Sequence, residues 1–199
     1  MATTPLELRP HQREAVSATT RVLGNHPRAS VIAACGTGKT LIAARTTARI
    51  APRGRVLVLL PTLDLLSQTI RSWRLAGRKG TTVAVCSQRQ ALDHEPLGAD
   101  IPLTTNPAEL NALTTTPRPG PVTVYATYAS LPAVIAAHRD HRLPSWDLWW
   151  SSTRTCPGDL GHRLSAAGSS QTGRWAGGRV GSAGEVPQGD QTAAASRAR

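Results

Sequence analysis

Four short apolar runs punctuate the first two thirds of the chain: SVIAA at Ser30–Ala34, RVLVLL at Arg55–Leu60, TTVAVC at Thr81–Cys86 and PVTVYA at Pro121–Ala126. Their length and their β-branched content predict strands. Mostly helix-compatible segments separate them, and strands alternating with helices predict an α/β domain with a parallel sheet. RVLVLL is apolar without alternation, which suits a strand covered on both faces. A fifth strand is expected at Trp146–Trp150, and a further helix opens at Leu8-Arg9-Pro10-His11-Gln12 and runs through Val16.

The pattern lapses twice. Residues 87–119 form a Pro- and Thr-rich stretch, read as a surface insertion with one short helix at Pro107–Leu113. Beyond residue 150 nine of the 17 glycines fall among Ser, Ala, Gln and Arg with no sustained period. Residues 151–199 are therefore expected to be a low-complexity, largely disordered tail behind a single domain at 1–150.

With 23 basic residues against 12 acidic ones, the formal charge is +11. Such an excess favours a polyanionic partner, since Lys and Arg release counterions from phosphate backbones. A GC-rich coding sequence explains it equally: Lys39 and Lys79 are the only lysines, Arg supplies the rest, and Phe is absent. Cys35, Cys86 and Cys156 are too far apart for a zinc spacing or a disulfide framework, which fits a reducing, cytoplasmic setting. Val56–Leu60, the longest apolar run, is too short to span a bilayer.

The chemistry concentrates where SVIAA runs into Cys35-Gly36-Thr37-Gly38-Lys39-Thr40 and then into LIAARTTARI, which has helical character. Strand, glycine turn and helix is the context of a phosphate-binding loop. Glycines let backbone N–H groups converge on phosphate, and the helix N-terminus adds its dipole. Lys39 is placed to reach the terminal phosphates of ATP, and the Thr40 hydroxyl to ligate Mg²⁺. The usual first glycine is replaced by Ala33.

With Ala33-x-x-Gly36-Thr37-Gly38-Lys39-Thr40, the chain resembles the first RecA-like domain of superfamily-two DEAD/DEAH-type helicases, in the branch that includes type III restriction enzyme helicase subunits. Three more stretches fit that family in order, and together the resemblance covers residues 6 to about 148. Leu8-Arg9-Pro10-His11-Gln12 resembles the upstream adenine-reading element, which implies that Gln12 hydrogen-bonds the base; an amide can donate and accept at adenine's edge. Pro61-Thr62-Leu63 resembles motif Ia and Thr127-Tyr128-Ala129-Ser130-Leu131 a second DNA-contact segment. The resemblance thus implies a DNA partner for Thr62, Thr127 and Ser130, residues that serve equally well as helix caps and turn formers. Leu65, Leu66 and Leu131 are expected in the core, and His11, His94, His138 and His141 on the surface.

The family's motif II, Asp-Glu-x-His, is expected straight after Trp146-Asp147-Leu148, with the Asp completing Mg²⁺ coordination and the Glu positioning water. The chain instead reads Trp149-Trp150-Ser151-Ser152-Thr153-Arg154. Asp147 comes too early, and Asp159 stands in a Gly-rich stretch. Written as TGG-TCG-TCG-ACG-AGG, the codons of Trp150–Arg154 contain GTC-GTC-GAC-GAG, Val-Val-Asp-Glu, in a shifted frame. A frame displacement near Leu148 is one reading and a divergent tail is the other. The resemblance implies an incomplete RecA-like three-layer fold: the amino-terminal ATP-binding part of a DNA helicase or translocase, without catalytic carboxylates or second lobe. The alternatives are a non-catalytic nucleotide- or DNA-binding module and a small P-loop kinase.

Overall fold

The computed structural model describes residues 7–87, 101–116, 119–152 and 174–180. In chain order these are α1 (Pro10–Asn25), β1 (Arg28–Ala33), α2 (Lys39–Ile50), β2 (Arg55–Leu60), α3 (Leu63–Leu75), β3 (Thr81–Val85), α4 (Pro107–Thr115), β4 (Val122–Thr127), a 3₁₀ turn (Tyr128–Ser130), α5 (Leu131–His141), β5 (Leu148–Ser151) and β6 (Arg174–Val180). The strands form one parallel sheet in the order β1-β6-β5-β2-β4-β3.

Residue alternation divides the core in two. Val56, Val58 and Leu60 of β2 point to one face with Leu23 of α1, Ala43 of α2 and Leu66, Ile70 and Trp73 of α3. Leu57 and Leu59 point to the other, with Leu110 of α4 and Leu131, Val134 and Ala137 of α5. The connections β1→β2 and β2→β3 step one way across the sheet, β3→β4 and β4→β5 the other, and their helices lie on opposite faces, as crossovers of a single hand require. Every strand therefore ends its C-terminal edge on the same side. The opposite edge is tied by buried Arg78, which donates to Ala51 O at 2.6 Å, Gly54 O at 3.0 Å and Thr123 Oγ1 at 3.1 Å. Among the described residues no helix is long and apolar enough to cross a membrane.

Several expectations need correction. The described part of 87–119 is not a surface feature: Ile101 and Leu110 are buried, and Leu103 bridges to Ala84. The β3→β4 connection has to recross the sheet, and α4 is the helix that covers it. The fifth strand starts two residues later than expected and continues through Ser151, with Trp149, Trp150 and Ser151 all buried. Within 151–199 the segment Arg174–Val180 forms β6, contrary to the expectation of an irregular tail. Its slot lies between β1 and β5, whose facing edges would otherwise keep unpaired main-chain groups; such pairing needs no side-chain pattern. Leu65 is 40% exposed, because the buried stripe of α3 runs through Leu66, Thr69, Ile70 and Trp73 and leaves its neighbour off the face. His138 is buried, lying on the Leu131 and Val134 stripe of α5 with its ring edge-on to Trp146, centroids 5.6 Å apart. His94 and Asp159 lie outside the described residues.

Candidate functional site

In open parallel sheets, ligands bind beyond the C-terminal ends of the strands. Ala33 closes β1 there, and the chain turns through Gly36 and Gly38, both left-handed at φ 78° and 82°, before α2 begins at Lys39. A side chain is disfavoured at either φ, so the glycines follow from the backbone path. Gly38 caps α2, its carbonyl accepting from Leu41 N at 2.9 Å and Ile42 N at 3.0 Å. Thr37 Oγ1 donates to Ala34 O at 2.8 Å. Lys39 Nζ folds over the turn and donates to Ala33 O at 3.0 Å and Ala34 O at 2.8 Å. Thr40 follows in the first turn of α2, half-buried.

The N-terminus of α1 lies on this turn. Gln12 is buried; its Oε1 accepts from Arg9 N at 2.9 Å and its Nε2 donates to Thr37 O at 2.9 Å. A Cβ on Gly38 would collide with that same amide nitrogen. His11 Nε2 stands 3.3 Å from Thr37 O. The structure thus brings Gln12, Ala33, Gly36, Thr37, Gly38, Lys39 and Thr40 together from two segments. His11 is exposed, as expected from the sequence.

Thr62, Thr127 and Ser130 stand further along the same edge, Leu60 and Thr127 being paired in the β2–β4 register. Thr62 caps α3 by accepting from Leu65 N at 3.3 Å. Thr127 Oγ1 accepts from Ser130 N at 3.3 Å and donates to Ser130 Oγ at 3.0 Å. Their hydroxyls are engaged in the caps and turn that the sequence also allowed.

β5 ends on this edge as well. Ser151 pairs with Gly177, which pairs with Ser30, so it stands level with β1 three residues short of Ala33. Its hydroxyl is hydrogen-bonded to Tyr128 Oη. Ser152 N donates to Leu59 O at 3.2 Å, while its hydroxyl is buried without a hydrogen-bond partner among the described residues. Asp147 precedes β5 at the opposite end. There its Oδ2 accepts from Arg55 N at 2.7 Å. The register puts Asp147 seven residues below Ala33, roughly 20 Å along the strand direction at the usual rise. It cannot serve a metal at Thr40.

The family described as Type III restriction enzyme, res subunit, matches residues 5–106. No curated protein matches the chain. Among solved structures, a nuclease-deletion mutant of the Type ISP restriction-modification enzyme LlaGI, in complex with a DNA substrate mimic, is similar at TM-score 0.69 and 23% identity. The match covers 87% of this chain and 17% of that one, so the chain spans under a fifth of that enzyme's length. The likeness is one of fold: a RecA-like α/β domain.

Proposed function

This chain belongs to the type III restriction enzyme, res subunit, family, and we propose that it is the ATP-binding first lobe of a DNA helicase or translocase, with hydrolysis lost. The observation that carries the reading is the meeting of the Gly36–Lys39 turn with Gln12, which draws a base-reading amide and a phosphate cradle from separate segments. In this reading the turn's N–H groups and Lys39 hold the phosphates of ATP, Lys39 leaving the Ala33 and Ala34 carbonyls for them. Gln12 selects adenine. Thr40 is the Mg²⁺ ligand; the metal, when bound, neutralises phosphate charge.

Loss of hydrolysis follows from β5. Its end carries Ser151 and Ser152, where the reaction needs one carboxylate for the metal and one to orient water. A shifted reading frame accounts for the substitution, and sequencing the gene over the codons of residues 148–160 tests that origin. DNA is proposed to contact Thr62, Thr127 and Ser130 through backbone phosphate, and the +11 charge supports such a partner. The whole reading suits the cytoplasm.

Calorimetric titration with MgATP tests the proposal: weak binding is expected in the native chain, and none in Lys39→Ala. Equal affinity in the two proteins removes the phosphate-loop assignment. A non-catalytic nucleotide- or DNA-binding module is the second reading, favoured by the same serines on β5. It differs in that restoring Val-Val-Val-Asp-Glu-Ala-His from residue 149, with the family's remaining sequence, does not produce DNA-stimulated turnover.

A further inference from the structure

We propose that His11 is a positioning residue for base recognition, taking over the Thr37 carbonyl when Gln12 turns from it to the nucleotide base. The inference rests on the nucleotide-binding reading above and adds a residue to it. Both ends of the Gln12 amide are committed within the protein, Oε1 to Arg9 N and Nε2 to Thr37 O. An adenine edge asks an amide for a donor and an acceptor together. Gln12 is buried, so presenting the free half of its amide to a base requires the side chain to turn, which draws Nε2 away from Thr37 O.

That bond matters to the phosphate site. Thr37 sits between the two left-handed glycines, and the hydrogen bonds of α2 begin only at the Gly38 carbonyl. The Thr37 peptide is thus tied from α1, not from its own helix. Released from every donor, it could rotate and carry the neighbouring N–H groups off a phosphate. His11 is already in place to prevent this. Its Nε2 lies 3.3 Å from Thr37 O, at the long end for an N–H···O bond, as a second donor sharing a carbonyl with a closer one would be. The ring is exposed, which leaves room for this contact to shorten. The Lys39 ammonium is directed at Ala33 O and Ala34 O instead.

The test compares a ligand that has a base with one that lacks it, using calorimetric titration of the full chain with MgATP and with magnesium tripolyphosphate. His11→Leu should weaken MgATP about five-fold, the scale of one net hydrogen bond. Tripolyphosphate affinity should not change, because without a base Gln12 stays on Thr37. His11→Gln, which keeps a donor at similar reach, should bring MgATP back to within about two-fold of the native chain. In a Gln12→Ala background, His11→Leu should weaken tripolyphosphate as well. Equal losses for both ligands in His11→Leu alone, or no loss for MgATP, overturn the proposal while leaving the nucleotide site standing. A native chain that binds neither ligand overturns both.

Discussion

Gly38→Ala puts the geometry of the turn to a quantitative test. Gly38 holds φ 82°, and a non-glycine residue pays about 1–2 kcal/mol there. The new Cβ would also strike the Gln12 amide nitrogen, and Gln12 is only 6% exposed, so its side chain has to leave. With it go the bonds to Thr37 O and Arg9 N, about 1 kcal/mol each. The total is about 3–4 kcal/mol, which in a domain of this size lowers the melting temperature by about 10 °C. Gln12→Ala alone should cost about 2 kcal/mol. The double variant should cost no more than Gly38→Ala, because the same two bonds are lost once, giving a coupling of about 2 kcal/mol in a urea-denaturation cycle. Additive losses, or a Gly38→Ala melting point within about 2 °C of the native one, would refute the claim that Gln12 and the turn are packed as one unit.

Arg78→Met removes three hydrogen bonds at the far edge of the sheet and should lower stability by about 3 kcal/mol in urea denaturation, with MgATP affinity unchanged. Burial holds the His138 imidazole below the ordinary histidine range, outweighing the nearby Leu143 backbone. The unfolded chain therefore takes up the proton first, and stability should fall as pH drops below about 6.5, where free histidine titrates. His138→Phe should flatten that slope in denaturation curves taken across the range. DNA binding by the isolated chain should be weak and should decline steeply from low to moderate salt in fluorescence anisotropy, and an affinity indifferent to salt would count against phosphate contacts.

The sheet was legible in the sequence because four short runs rich in apolar and β-branched residues alternate with helix-compatible segments, as strands of a parallel α/β sheet do. The glycine turn was legible because its chemistry is local: positive φ at Gly36 and Gly38 and a lysine at the helix start follow one another in the chain. What escaped depended on distant partners. Leu110 looks like any residue of a short helix until the β3→β4 crossover lays it on the sheet. His138 reads as a surface histidine unless Trp146, outside its helix, is known to cover it. Arg174–Val180 has no strand period, and its place is set by the main-chain groups of β1 and β5 that it pairs. Asp147 is the instructive case. Counting already put it too early for the missing carboxylates, and register and direction agree, placing it at the opposite end of β5 from the turn.

A nucleotide site without hydrolysis is tested most directly by release of phosphate from ATP by the purified chain, with and without DNA, beside the Lys39→Ala variant. No DNA-stimulated turnover above background is expected in either protein, with MgATP binding expected in the native chain. Turnover that appears in the native chain and vanishes in Lys39→Ala would contradict that expectation, and would require a carboxylate other than Asp147 to stand beside the metal.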